Sequence, residues 1–281
     1  MDDKQKILSK ASELNSVPAS ALQAMRKLQD PNSNIGEVVQ LINYDPGMTS
    51  NILRLANSSY YGCTKAISSL REAIVRLGAK NILPLITAAI ASAAIKTKIR
   101  GYSMTSDQLW DHSVAVAVAA ENLAEMLKIP GEKIAFTAGL LHDIGKVLMG
   151  KHMIDKKIRK VFQEALRKSD SLIHAEYELY KIDHAEAGGF LLGKWNIPDA
   201  LVQAVRFHHS PFDAENPNAS IVHIADVICV QNDIGFEYST PKVSFTPGIL
   251  EKMNVSSQIV EEVVARTKDS FENIKDVFSG K

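Results

Sequence analysis

From Ala135 to Met149 the chain reads Ala-Phe-Thr-Ala-Gly-Leu-Leu-His-Asp-Ile-Gly-Lys-Val-Leu-Met, a helix-length apolar run with His142, Asp143 and Lys146 set inside it. Leu140, Leu141, Ile144 and Val147 leave no broad polar stripe that could face water. Burying a polar group without a partner costs roughly 2–7 kcal/mol, and a charge costs more. The fold must therefore bring something to this imidazole and this carboxylate. On one continuous helix, neighbours stand about 100° apart, so both lean toward one ion beside the helix, and Lys146 shares the face of His142.

Further donors lie in other segments. His112 opens the apolar run Ser113–Ala120, and His184 precedes Ala185-Glu-Ala-Gly-Gly189, whose small residues permit close helix packing. His208 and His209 follow Asp199–Phe207 and stand just before Pro211, and Asp226 sits within Ser220–Val230. Taken singly, His112 reads as a satisfied core histidine, and Asp226 reads equally as a ligand or as a paired or protonated acid. The 208–209 pair also suits a helix C-terminus whatever its function. His223 reads as a core or surface histidine, and His152 and His174 as surface. Taken together, these residues are nitrogen and oxygen ligands from separate segments, and a metal centre would satisfy them all.

Composition narrows the class. Lysine plus arginine equals aspartate plus glutamate at 32 each, so there is no basic footprint for nucleic acid. Cys63 and Cys229 show no metal-like or redox-like spacing, and the charged N-terminus lacks a secretory apolar core. The longest apolar stretch, Ile82–Ile95, is too short to cross a bilayer. These features predict a cytoplasmic protein without membrane attachment.

Helical periodicity dominates and predicts an all-α fold, with helices over about 4–15, 18–29, 35–43, 47–56, 70–76, 79–98, 106–128, 132–150, 154–168, 171–180, 184–193, 198–208, 219–231 and 255–275. Asn34 with Glu37 and Thr105 with Gln108 have capping-box spacing, and Asp45-Pro46 and Pro198 suit helix starts. The polar stretch 96–105 divides an N-terminal helical lobe, 1–100, from a core, 101–235, that holds every candidate ligand. Residues 236–281 form a tail with one amphipathic helix, whose Ile259, Val263, Val264 and Phe271 predict packing on the core. The basic stretch Asp155–Lys160 reads as a solvated helix face.

The order His112, His142-Asp143, His184, His208-His209, Asp226 resembles the HD superfamily of metal-dependent phosphohydrolases. The resemblance implies that His112, His142, Asp143 and Asp226 hold one metal. His184, His208 and His209 resemble the second-metal ligands of the binuclear HD-GYP phosphodiesterases, in which the motif aspartate bridges both ions, and Lys146 matches the HDxxK signature of that branch. A second resemblance covers about residues 17–235. Leu28-Gln-Asp-Pro-Asn32, Val38–Ile42, Asp45-Pro-Gly-Met48, Ile52–Ser58, Tyr60-Tyr-Gly62 and Ile67–Gly78 are similar to the HDOD domain, a bacterial all-helical regulatory module. Together these imply an HD-type helical bundle with an added N-terminal helical lobe. HDOD domains usually lack the ligands, whereas this chain keeps the set. After His209 no Gly-Tyr-Pro follows, which argues against cyclic di-guanylate specificity. Asn57–Gly62 reads first as a helix end and second as a recognition surface.

Such ligands suit iron, manganese, zinc, nickel or cobalt. Two ions about 3.5–4 Å apart, bridged by Asp143, would activate water and neutralise phosphoryl charge. Asp143 and Lys146 are then the catalytic candidates, with Lys146 contacting phosphate and Arg206 a weaker phosphate clamp. Three functions follow: a phosphohydrolase acting on a nucleotide or cyclic dinucleotide, a regulatory module that binds a nucleotide or signalling partners around a structural or sensing metal, and a di-iron oxygenase. The reading preferred on sequence is a signalling protein with a preserved phosphohydrolase site.

Overall fold

A computed structural model of the chain describes residues 2–14, 19–29, 34–43, 45–57, 66–95, 99, 101–102, 104–129, 132–169, 171–235 and 243–279. Every regular element among them is helical. They are α1 (Asp3–Ser9) with a 3₁₀ turn (Lys10–Leu14), α2 (Ala19–Gln29), α3 (Ile35–Asn43), α4 (Pro46–Ala56), α5 (Leu70–Leu77), α6 (Ala79–Ile95), α7 (Ser106–Met126), α8 (Glu132–Leu141), α9 (Ile144–His152), α10 (Lys156–Lys168), α11 (Leu172–Tyr180), α12 (His184–Lys194), α13 (Asp199–Arg206), α14 (Asn218–Gln231), α15 (Ile249–Lys252) and α16 (Ser257–Ser279). Tyr60, Tyr61, Gly62, Cys63 and part of the 96–105 connection lie outside the described residues.

Local chemistry sets several helix starts. Thr105 and Gln108 form a reciprocal capping box, with the Gln108 amide donating to Thr105 Oγ1 at 3.2 Å and the Thr105 amide donating to Gln108 Oε1 at 2.7 Å. Asp45 caps α4 by accepting from the Met48 amide, with Pro46 in the first turn. At α3 the box is only half made. Asn34 Oδ1 accepts from the Gly36 amide at 2.8 Å, while the Glu37 carboxylate pairs with Lys27 instead. The end of α4 is closed by Asn57, whose amide donates to Leu53 O and Ile67 O and whose Oδ1 accepts from the Ile67 amide. At this residue the helix-end reading holds.

The centre of the molecule is α7, where Val114 through Ala120 are all buried. A helix apolar on every side must be covered on every side, and α8, α14 and α16 pack against it. Gly139 lets α8 cross closely, since a Cβ there would come within 2.9 Å of Ala117 Cα and Val116 O. Helices α2–α6 pack on one another, and α6 carries them onto α8 and α9. The last helix lies along α7 with Val263 and Phe271 buried and Ile259 and Val264 partly so.

One predicted helix is two. The run 132–150 breaks between α8 and α9, with His142 and Asp143 in the turn. The expectation that both sit on one helix and diverge by 100° is therefore corrected. Asp143 instead adopts φ −96°, ψ 6° at the mouth of α9.

Candidate metal centre

The break is what aims His142. The C-terminus of α8 leaves backbone carbonyls without helical donors, and His142 Nδ1 donates to one of them, Gly139 O, at 2.7 Å. Nε2 then projects away from the helix end. The same device recurs after α13, where His208 Nδ1 donates to Val205 O at 2.7 Å. The peptide carbonyl of His208 accepts from His223 Nδ1 at 2.8 Å, while His223 Nε2 accepts from the Thr246 amide. His223 is thus a satisfied core histidine that pins the turn carrying His208. His184 is the first residue of α12, and His112 and Asp226 project from the first third of α7 and the middle of α14.

These positions converge. His112 Nε2 lies 3.1 Å from Asp226 Oδ1 and 3.7 Å from Asp143 Oδ2, and His142 Nε2 lies 3.3 Å from Asp143 Oδ2 and 3.9 Å from Asp226 Oδ1. His184 Nε2 is 3.1 Å from Asp143 Oδ1 and 3.0 Å from His209 Nε2. His208 packs its ring against those of His142, His184 and His209. Three ligand groups emerge within 4.8 Å: His112, His142 and Asp226; His142, Asp143 and His208; and His184, His208 and His209. Asp143 lies between the two ends of the cluster. Lys146 reaches back one turn, its Nζ 2.6 Å from Asp143 Oδ2.

The donor set fits a cation. His112, His142, Asp143 and His184 are each 1% exposed, and the Nε2 atoms of His142 and His208 are buried with no hydrogen-bond partner among the described residues. Their Nδ1 hydrogens are committed to carbonyls, so Nε2 is the nitrogen each ring turns inward; burial works against a charged His142 ring, but Asp143 and Asp226 raise its pKa above the ordinary value. Burial would raise the two carboxyls, but His142 and Lys146 hold Asp143 well below the usual carboxylate range, and the His112 hydrogen bond and His142 hold Asp226 below it. Burial, helped by neighbouring rings, pushes His208 and His209 well below ordinary imidazole. Two ionised carboxylates among five imidazole rings offer oxygen and nitrogen donors together.

Some sequence expectations change. Arg206 is exposed, its guanidinium 5.4 Å from the Phe207 ring and its stem against Gly189. Helix α13 ends at Arg206 and the chain turns before His209, so the two do not share one helix. His152 is buried rather than on the surface, with its ring edge on Tyr180 and Asp3 of α1 3.8 Å away, while His174 is exposed as expected. The ligand pattern missed Tyr102 and Glu176. Glu176 is fully buried and accepts from the Tyr102 hydroxyl at 2.7 Å, from the His184 amide at 2.9 Å and from His184 Nδ1 at 2.8 Å. A signal existed in α11, where Glu176 shares the stripe of Leu172, Ala175, Leu179 and Tyr180 at helical spacing.

The chain is similar to known proteins at several levels. It is 25% identical over 211 residues to an uncharacterized protein of Treponema pallidum, covering 73% of this chain and 39% of the other. It is 30% identical over 135 residues to a ribonuclease Y of Chlorobium chlorochromatii, covering 48% of this chain and 20% of the other. The chain thus spans well under half the length of these curated relatives. Among solved structures, an HDOD domain protein of Geobacter sulfurreducens matches at 26% identity with a TM-score of 0.68, over 96% of this chain and 94% of that one. The HDOD domain profile matches residues 14–211. With well over half its length inside that match and the same helical architecture, the chain belongs to the HDOD family.

Proposed function

We propose that this HDOD protein holds two divalent metal ions and hydrolyses a phosphate ester of a nucleotide or cyclic dinucleotide as part of bacterial signalling. The observation that carries the reading is the convergence of six candidate ligand side chains around a seventh, Asp143. His112, His142 and Asp226 would hold one ion, and His184, His208 and His209 the other, with Asp143 shared. When bound, such ions supply Lewis acidity toward a phosphoryl oxygen and toward water. The match to ribonuclease Y, by its name a nuclease, is in keeping with phosphodiester chemistry.

The chain's own residues do the rest. Asp143 and Asp226 set the negative charge of the site, and the carbonyl-bound Nδ1 atoms fix the ring orientations of His142 and His208. Lys146 brings a cation to the shared carboxylate, where it can meet a phosphate or donate a proton to a leaving oxygen. His209 is the partly exposed member and marks the edge at which a substrate phosphate would arrive. The test is elemental analysis of the purified protein followed by a nucleotide and cyclic-dinucleotide panel. Two metal equivalents with turnover of at least one phosphate ester are expected, and Lys146→Met should cut that turnover by about 10²–10⁴-fold, the range for a lost general acid–base group.

A second reading is favoured by the depth of the cluster. Because nearly all the ligands are shut from solvent, a regulatory module that uses its metal for structure or sensing, and binds a nucleotide or protein partner elsewhere, also accommodates the geometry. Tight metal binding without turnover on any phosphate ester would select it.

Metal uptake should depend on pH with a defined sign. Burial works against the charged His184 ring, but Glu176 and Asp143 together outweigh it and raise the pKa to about 9. A metal needs the neutral ring, so binding to chelator-stripped protein must displace this proton below pH 9. Apparent affinity should rise with pH by about tenfold per unit through neutrality and level off near 9. Titration calorimetry at pH 7 in buffers of different ionisation enthalpy should register the released proton.

A further inference from the structure

The rings of the cluster are not all held alike. His142 and His208 present Nδ1 to neutral peptide carbonyls, whereas His184 presents Nδ1 to the buried carboxylate of Glu176. A carboxylate acceptor makes a charge-assisted hydrogen bond and raises the electron-donating strength of the opposite ring nitrogen. That nitrogen, His184 Nε2, is the one facing Asp143 and His209. Glu176 also accepts from the His184 backbone amide, so ring and peptide are gripped by one oxygen, Oε2. Its other oxygen, Oε1, is held by the Tyr102 hydroxyl.

Tyr102 is the unusual partner. It lies in the connection between α6 and α7, remote in sequence from α11 and α12, yet it is buried with its ring edge on Phe162 and its hydroxyl also 3.3 Å from Met149 Sδ. A phenylalanine would pack as well, so the hydroxyl is what ties this connection to Glu176. The ring also lies 6.0 Å from Lys146 Nζ. Tyr102, Glu176, His184, Asp143 and Lys146 therefore form a closed circuit of contacts.

We propose that Glu176, held by Tyr102, is the positioning residue for the His184–His208–His209 end of the cluster, making that end the tighter metal position and leaving the His112–His142–Asp226 end independent of it. This rests on the metal-centre reading given above. The bland alternative is that Glu176 only stabilises the start of α12, and a site-selective readout separates the two.

The experiment titrates chelator-stripped wild-type, Glu176→Gln, Tyr102→Phe and Asp226→Asn proteins with cobalt(II), following calorimetry and the visible cobalt spectrum, with thermal melts alongside. Gln keeps the shape of Glu and removes its charge. E176Q is expected to weaken one of two binding events by about 10- to 100-fold and to alter its cobalt spectrum, leaving the other event intact. Y102F should move the same event in the same direction by less, and D226N should move the other event. E176Q affinities equal to wild type, or both events weakened equally along with a lowered melting temperature, would overturn the inference alone. Wild-type protein that takes up no cobalt would overturn the metal-centre reading and this inference with it.

Discussion

Replacing Asp143 with alanine is expected to lower metal affinity by more than about 100-fold, beyond the roughly 10- to 100-fold typical of losing an outer partner of a ligand. Asp143 faces both halves of the cluster, with Oδ1 toward His184 and Oδ2 toward His142, His112 and Lys146. Truncation removes the shared carboxylate and leaves the Lys146 ammonium buried without its counter-charge, which repels a cation. The double penalty should empty the site during gel filtration. Elemental analysis reads the loss directly, and helical circular dichroism confirms that the chain is still folded. Asp143→Asn, which keeps the shape but not the charge, should behave similarly, and folded D143A that retains wild-type metal would end the proposal.

The second large effect is steric. A Cβ built on Gly145 would lie 1.9 Å from His184 O and 2.6 Å from the Gly188 amide nitrogen. Here α9 and α12 touch backbone to backbone, so no flexible side chain can give way. Overpacking ordinarily costs about 1–3 kcal/mol, and Gly145→Ala should reach or exceed the upper end. At roughly 2–4 °C per kcal/mol for a chain of this size, the melting temperature should fall by roughly 6–12 °C. Because the displaced atoms belong to His184 and its neighbours, metal affinity should fall with it. Gly193→Ala, in the exposed part of α12 where an added Cβ meets nothing within 4 Å, is the control. It should be neutral or stabilising by up to about 1 kcal/mol, since alanine is the better helix former. Thermal melts of the two variants decide the matter, and equal melting temperatures would show that the close approach is not rigid.

Much of this was legible before any coordinates. Periodicity placed nearly all the helices because each buries an apolar stripe, and Thr105 with Gln108 and Asp45 with Pro46 announced their caps through hydrogen-bonding chemistry local to the sequence. The ligand candidates were legible for a different reason, which is that imidazoles and carboxylates in apolar surroundings need an explanation. What escaped notice lay in directions that periodicity does not encode. The break between α8 and α9 is hidden because Leu141 and Ile144 continue the apolar run across it, and only the bond from His142 to the Gly139 carbonyl shows the helix ending. Spacing put Arg206 and His209 on one helix, but the helix ends between them. His152 looked exposed because nothing in its own segment reveals that α1 covers it. Glu176 was overlooked because its charge disguised its place on the buried stripe of α11.

The candidate ligands reach the cluster from α7, the α8–α9 turn, α12, the turn after α13 and α14, in that order along the chain. During translation His112, His142 and Asp143 leave the ribosome well before Asp226 exists. A nascent chain therefore carries a half-built set of donors, and closing the circle awaits distant partners whose meeting is entropically slow. Metal loading is thus expected to follow chain completion rather than accompany it, and a ribosome stalled before α14 should display a metal-poor intermediate.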